Sequence, residues 1–229
     1  MLSGSGASAK VISDTIVEHQ TVDTTGAPDG PPPIESSAVE PTTRTSGLTA
    51  SAVVEPALKV VPAQTYALDW TSPPYAGDDA SDFNPDFPYF DNNCANFVSQ
   101  VLHAGGWTYQ QGLIPNNTAY WAPDLNGLAG PSRSWSASAY QYIFVDNNGY
   151  SWLDNIWNAK IGDLLYTDWD PNGQPDGEID RVMFVAFGSE FDGDPVITQK
   201  TPNRFIPLSQ SILNAQAQGR TVTWYGLKR

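Results

Sequence analysis

The stretch "DNNCANFVSQVLHAGG", residues 91–106, contains the only cysteine of the chain and decides how the fold is interpreted. Apolar residues recur in it at i, i+3, i+4 and i+7, which predicts a helix with one buried face. That face consists of Cys94, Phe97, Val98 and Val101. Asn93 stands where it can cap the helix, and Gly105-Gly106 can end it through a left-handed residue. Cys94 is therefore expected on the buried face, at the helix N-terminus.

The aromatic residues of this 229-residue chain all lie at or after Tyr66. The preceding part is rich in Ser, Thr, Ala, Pro and Gly. It can bury too little apolar area to offset the entropy lost on ordering. We therefore predict a disordered, low-complexity tail over residues 1–61 and one folded domain over residues 62–229.

Strand-like segments follow the cysteine helix. "GDLLYT", "RVMFVAF", "PVITQKT" and "TVTWYG" are enriched in β-branched and aromatic residues and are separated by turn residues. Between them, "LSQSILNAQAQG" predicts a late helix that ends at Gly219, and Ser136 can cap an earlier helix through about Val145. Helices first and strands afterwards indicate an α+β fold, with an antiparallel sheet packed on the cysteine-bearing helix.

The charge of the chain excludes some partners. A formal net charge of −14 repels nucleic acid and anionic lipid, and no Lys/Arg cluster is visible in the sequence. No run is long and apolar enough to predict a membrane span, and the chain as written shows no secretion signal. A tail of this composition would nonetheless suit an extracytoplasmic linker, so the compartment stays open. One cysteine allows no internal disulfide, and we expect a monomer.

The position of Cys94 suits a nucleophile. The positive end of a helix favours a thiolate, and the backbone N–H groups there can receive an oxyanion. A lone cysteine on an apolar helix face is, however, more often a small buried hydrophobe. The spacing alone leaves both interpretations open.

The string "NCANFVSQVLHAGG" resembles the signature of the bacterial putative amidase domain family, which reads like D-C-T-N-F-V-S-Q followed by an apolar pair and G-G. Further blocks in the same order extend the resemblance, among them "YALDW", "SWSASAYQYI" and "GDLLYTDWDPNGQPDGEIDRVMFV". The resemblance implies a papain-like fold and a cysteine hydrolase that acts on amide bonds of peptides or cell-wall peptides. It implies that Cys94 is the nucleophile, that a His on the strand after the "DWD" loop is the base, and that a polar group on a neighbouring strand orients this His.

The chain departs from that pattern at the base. Its only histidines are His19, in the tail, and His103, nine residues after Cys94 on the same helix. At roughly 1.5 Å per residue, His103 lies more than about a dozen ångströms along the axis, on the opposite face. Where the family reads like I-D-H-V, this chain reads "IDRV", so Arg181 takes the position of the missing His, and Lys200 in "QKT" takes that of the orienting group. A guanidinium cannot accept the thiol proton.

The sequence thus favours an amidase-like domain with a degenerate catalytic site, acting as a binding or scaffold module for peptide or cell-wall peptide. One alternative is an active cysteine amidase that uses Cys94 with an unorthodox base, either Asp180 if it is buried beside the sulfur or a neutral Lys200. Another is a purely structural domain appended to the tail.

The segment "DWDPNGQPDGEID" suggests a calcium loop, although no cofactor is required by the chemistry above. Positions 1, 3, 5 and 9 of a twelve-residue loop would be Asp168, Asp170, Asn172 and Asp176, with Gly173 at position 6. Position 12 is Ile179 instead of an acidic residue. An Asp/Asn/Gly-rich turn between strands is the alternative.

Overall fold

The computed structural model describes residues 57–71, 82–125, 130–169, 177–190 and 193–229. In this part of the chain the helices are α1 (Val60–Asp69), α2 (Cys94–Ala104), α3 (Arg133–Ser136), α4 (Ser138–Asn147) and α5 (Leu208–Ala217). The strands are β1 (Ser151–Trp152), β2 (Leu164–Asp168), β3 (Arg181–Phe187), β4 (Val196–Gln199), β5 (Arg204–Pro207) and β6 (Thr223–Lys228). A single 3₁₀ turn covers Ile156–Asn158.

The six strands form one sheet in the order β1-β6-β2-β3-β4-β5, and every described pair is antiparallel. In the centre, Leu164 of β2 pairs with Phe184 of β3 on one side and with Leu227 of β6 on the other. Together with the helices, this sheet confirms the α+β prediction.

The sheet separates two hydrophobic clusters because successive side chains of a strand point to opposite faces. On one face, Tyr166 and Phe184 belong to the cluster that contains α2. On the other face, Leu165 and Met183 belong to the cluster that contains Ile212 of α5. A residue's position in its strand therefore decides whether it faces the cysteine helix or α5.

Helix α2 lies deep in the domain. All residues from Cys94 to Leu102 are buried, which is more than the single apolar face that the spacing predicted. The polar residues among them are bonded: Trp121 Nε1 donates to Ser99 Oγ at 3.0 Å, and Trp135 Nε1 donates to Asn96 Oδ1 at 2.5 Å. The Tyr66 hydroxyl donates to the third buried polar residue, Gln100, at 2.7 Å. These aromatic side chains satisfy the polar side of the helix and allow it to be buried all round.

The helix ends agree with the prediction in part. Gly106 follows α2 with φ +100°, the left-handed conformation that glycine adopts most readily. Asn93 occupies the N-cap position, but its side chain accepts from no backbone N–H of the helix. Asn93 Oδ1 accepts instead from the Phe90 N–H at 3.3 Å and from Asn96 Nδ2 at 2.8 Å.

Other elements differ from the sequence expectation. The predicted helix through about Val145 is α4, but Ser136 does not cap it, because α4 begins at Ser138 with Ala137 at its N-cap. Ser136 instead ends the short helix α3, which was not predicted and which the Ser132 side chain caps. Strands β1 and β5 were not predicted. At the start of the described chain, Leu58 is already buried, and the Lys59 N–H donates to the Gly105 carbonyl at 2.8 Å. None of the described helices is long and apolar enough to cross a membrane.

Candidate functional site around Cys94

Cys94 is the first residue of α2, and its side chain is only 3% exposed. Three segments surround its sulfur in the described part of the chain. The Sγ atom lies 3.2 Å from Ser138 Oγ, 3.4 Å from Asn92 Oδ1 and 3.8 Å from the carbonyl oxygen of Asp180. The sequence did not single out Ser138 or Asn92, because neither is a usual proton acceptor and they lie on different segments.

None of these neighbours of the sulfur is a general base at neutral pH. They are a hydroxyl, a carboxamide and a backbone carbonyl. Asp180 turns its carbonyl, and not its carboxylate, toward Cys94; the carboxylate Oδ2 accepts from the Trp169 N–H at 2.6 Å. Ser138 Oγ can donate to the same Asp180 carbonyl at 3.3 Å. The immediate surroundings of the sulfur are therefore polar and uncharged.

Arg181 opens β3 next to this group. Its Nη1 donates to the Thr201 carbonyl, and its Cζ lies 4.9 Å from the ring centroid of Trp169. Burial lowers the pKa of Arg181 below its usual value, while the charge of a Cys94 thiolate acts in the opposite direction. Arg181 is thus a half-buried cation within electrostatic reach of the sulfur. It can stabilise negative charge there but cannot take up a proton.

Thr201 connects Arg181 to the helix that carries Cys94. Its Oγ1 accepts from the Asn93 backbone N–H at 2.8 Å, and its carbonyl accepts from Arg181. Its backbone has φ +48°, a left-handed conformation that is uncommon for a β-branched residue. Sequence reasoning missed Thr201 because its neighbour Lys200 matched the family's orienting position.

Lys200 follows β4 and is 1% exposed. Its Nζ donates to the Asp82 carbonyl at 2.6 Å and lies 4.8 Å from the ring centroid of Phe83 and 5.9 Å from that of Phe97. The structure thus places Lys200 beside the first turn of α2. An orienting role toward Arg181 stays a prediction.

His103 lies in the last turn of α2, at the other end of the helix from Cys94. Its Nδ1 is 2.9 Å from the Trp107 carbonyl, and its ring stacks on Tyr109 at a centroid distance of 4.3 Å. It belongs to the aromatic packing around the helix. His19 lies outside the described residues.

Tyr166 of β2 is a further neighbour that the sequence did not reveal. It is fully buried, and its hydroxyl has no hydrogen-bond partner among the described residues. Burial raises the pKa of Tyr166 well above its usual value, and the nearby charges of Tyr150 and Cys94 add to this rise. Tyr166 therefore stays neutral and cannot serve as a base.

A cleft of about 540 Å³ opens beside the sulfur. Its described lining consists of Asp91, Asn92, Trp169, Asp180, Arg181, Thr201 and Pro202. Cys94 is not part of this lining, although Asn92 and Asp180 both line the cleft and contact the sulfur. The thiol thus lies directly behind the wall of the cleft.

The calcium prediction falls largely on residues that the structure does not describe. Asp168 is the last residue of β2, and its Oδ2 accepts from the Gly177 N–H at 2.9 Å. Asp170, Asn172 and Asp176 lie outside the described residues. Within the described ranges, no group of three or more His, Cys, Asp or Glu side chains could hold a metal ion. Calcium binding stays a prediction.

Comparison with known proteins identifies one family. A model of the family described as "Putative amidase domain" matches residues 58–225, which is well over half of the chain. No curated protein and no solved structure matches the chain.

Proposed function

Because this chain belongs to the putative amidase domain family, we propose that it keeps the papain-like architecture of a cysteine amidase but does not hydrolyse amides. In this proposal the cleft beside Cys94 binds a peptide or a cell-wall peptide, and the domain serves as a binding or scaffold module.

The observation that carries the proposal is the set of groups around the sulfur. A cysteine amidase needs a group that accepts the thiol proton and later donates a proton to the departing amine. Among the described residues, the hydrogen-bond partners of Cys94 Sγ are the neutral groups of Ser138, Asn92 and Asp180. Arg181, at the family's base position, is permanently charged. A thiolate could form there, but an amine could not leave.

The burial of Cys94 supports the same conclusion. Reactive cysteines are partly exposed, whereas buried ones are inert. At 3% exposure and behind the wall of the cleft, the Cys94 sulfur is shielded from a substrate carbonyl.

The cleft supports the binding role. A volume of about 540 Å³ falls in the range of ligand sites. Its lining includes the aromatic Trp169, the cationic Arg181 and the acidic Asp91 and Asp180. This combination fits a ligand with both charged ends and an apolar part, such as a short peptide.

Hydrolysis is tested with four proteins: wild type, Cys94→Ala, Arg181→His and Arg181→Lys. Each is incubated with synthetic peptide amides and with soluble peptidoglycan fragments, and amine release and covalent adducts are followed. We expect no turnover by wild type or by Arg181→Lys. Arg181→His is expected to gain a slow turnover that disappears when Cys94→Ala is added.

Wild-type turnover through a Cys94-dependent acyl adduct would reject the proposal in favour of an active amidase with an unorthodox base. Binding is measured separately, by titrating the same probes against the Cys94→Ala protein and recording tryptophan fluorescence. Binding of a fragment that Arg181→Ala weakens supports the module. A failure of every probe to bind contradicts it and leaves a structural domain.

A further inference from the structure

A second cavity lies on the other side of the sheet, between β3 and α5. Its volume is about 260 Å³, and residues of β2, β3, β6 and α5 contribute to its lining. Three arginines line it, Arg181, Arg204 and Arg220, together with Trp169, Asn214 and Gln218. It shares only Arg181, Trp169 and Pro202 with the cleft beside Cys94.

The charge of this cavity is opposite to that of the chain. The protein has 25 acidic residues and a formal net charge of −14, yet three of its six arginines meet here. No aspartate or glutamate is among the described residues of the lining. The cleft beside Cys94, in contrast, is lined by Asp91 and Asp180 as well as by Arg181.

The three cations lie close enough to repel one another. The charges of Arg220 and Arg204 each oppose the protonation of Arg181, in the same direction as its burial. Bringing like charges together in a partly buried site costs free energy, and an anion bound between them would offset that cost.

Two of the three guanidinium groups lie close to the indole ring of Trp169. Arg220 Cζ lies 3.8 Å and Arg181 Cζ 4.9 Å from the centroid of Trp169. A cation that lies over an aromatic ring is attracted by the ring without using up its N–H donors, so these donors can still bind an oxyanion. Each guanidinium has several N–H donors, so the bond from Arg181 to the Thr201 carbonyl, or a partner of Arg204, does not exhaust them.

We propose that this cavity is a binding pocket for a small organic oxyanion, a carboxylate or a phosphate, held by the arginines. Met183, Val222 and Trp224 line the same cavity and would contact the apolar part of the ligand. The cavity of about 260 Å³ is roughly half the volume of the cleft beside Cys94, which suits a smaller ligand than a peptide. The proposal does not rest on the function proposed above, since it needs neither Cys94 nor an amide.

The test is isothermal titration of the full chain with succinate in one arm and inorganic phosphate in the other, at an ionic strength fixed with sodium chloride. The variant is Arg220→Gln, which removes a charge that only this cavity uses. The matched control is Arg133→Gln, an exposed arginine on α3 that does not line the cavity. Both variants change the net charge equally.

We expect saturable binding of at least one probe to wild type and to Arg133→Gln, and an affinity loss of about tenfold or more in Arg220→Gln. The arm that binds more tightly distinguishes a carboxylate ligand from a phosphate. Arg220→Lys, which keeps the charge but not the planar fork, should bind more weakly than wild type and more tightly than Arg220→Gln. Circular dichroism verifies that each variant is folded, and Arg204→Gln replaces Arg220→Gln if the latter is not. Absence of binding in both arms, or an equal loss in Arg133→Gln, would overturn the proposal.

Discussion

The sulfur of Cys94 lies 3.2 Å from the hydroxyl oxygen of Ser138. Cys94 begins α2 and Ser138 begins α4, so this contact joins the starts of two helices. Ser138 can also donate to the Asp180 carbonyl next to the first residue of β3. The thiol therefore lies in a neutral polar environment that three parts of the fold form. Its reactivity depends on how far those parts exclude reagents from the sulfur.

Asn92 is expected to control the reactivity of the thiol. Its side chain is exposed, lines the cleft and has its Oδ1 3.4 Å from the sulfur. Asn92→Gly removes a side chain that covers the sulfur and accepts a hydrogen bond from it. We expect the rate of alkylation by iodoacetamide to rise by about tenfold, equivalent to ~1.4 kcal/mol in the barrier.

The control for this change is Asn116→Gly, an exposed asparagine in the loop after α2. Alkylation is followed by mass spectrometry of the intact protein under native conditions. If Asn92→Gly and Asn116→Gly react at the same rate as wild type, Asn92 does not cover the sulfur.

Thr201 is expected to stabilise the start of α2. Its Oγ1 is the acceptor for the N–H of Asn93, a residue that is 2% exposed. Thr201→Val keeps the branched shape but leaves that buried donor without an acceptor, which should lower the free energy of unfolding by about 1–3 kcal/mol. Urea denaturation measures the change.

Thr201→Ser is the matched variant, because it keeps the hydroxyl. It should retain most of the wild-type stability. An equal loss of stability in the serine and valine variants would mean that the hydrogen bond to Asn93 contributes little.

Asp163 should make stability depend on pH. Burial raises the pKa of Asp163 above its ordinary 3.8, although hydrogen bonds from the Lys160 and Arg229 backbone N–H groups act in the opposite direction. The folded state then binds the proton more tightly than the unfolded state. The stability that comes from this group is present at acid pH and is lost as pH rises through the raised pKa.

The measurement is urea unfolding of wild type and of Asp163→Asn at several pH values from about 4 to neutral. The stability of wild type relative to the variant should be highest at the acid end and decrease as pH rises. A difference that stays constant, or that increases with pH, would contradict a raised pKa in the folded protein.

Calcium binding by the loop after β2 can be tested by thermal denaturation. If Asp168 and the acidic residues after it bind the ion, calcium should raise the melting temperature, since a ligand that binds only the folded state stabilises it. The effect should disappear in Asp168→Ala and remain in Asp146→Ala, a control on α4. An equal rise with magnesium, or in both variants, would indicate general charge screening.

Several elements were predictable because local patterns specify them. The recurrence of Cys94, Phe97 and Val101 predicted α2, and the β-branched runs predicted four of the six strands. Strand β1 has only two residues, which is too short for a periodic pattern to be recognised. Strand β5 ends in Pro207, and a proline within a short run argues against a strand. Asn93 has the right residue type for a cap, but its oxygen is occupied by Phe90 and Asn96, and no local rule could show this.

The sequence singled out Cys94 by its place in the helical pattern. It singled out Arg181 only through the resemblance to the family motif, and it named Asp180 and Lys200 as possible bases. Asn92, Ser138 and Thr201 were not predictable, since each acts through a contact with a residue distant along the chain or through a particular backbone conformation.

The sequence by itself determined the helix that carries the thiol, four of the six described strands and the separation of His103 from Cys94 along that helix. These follow from residue type and local periodicity. Only the tertiary structure decided that neutral groups enclose the sulfur and that Arg181, Arg204 and Arg220 converge on one cavity. The physical reason is that electrostatic and hydrogen-bond contacts depend on distance in space, and folding the sheet brings together residues that local sequence patterns treat as independent.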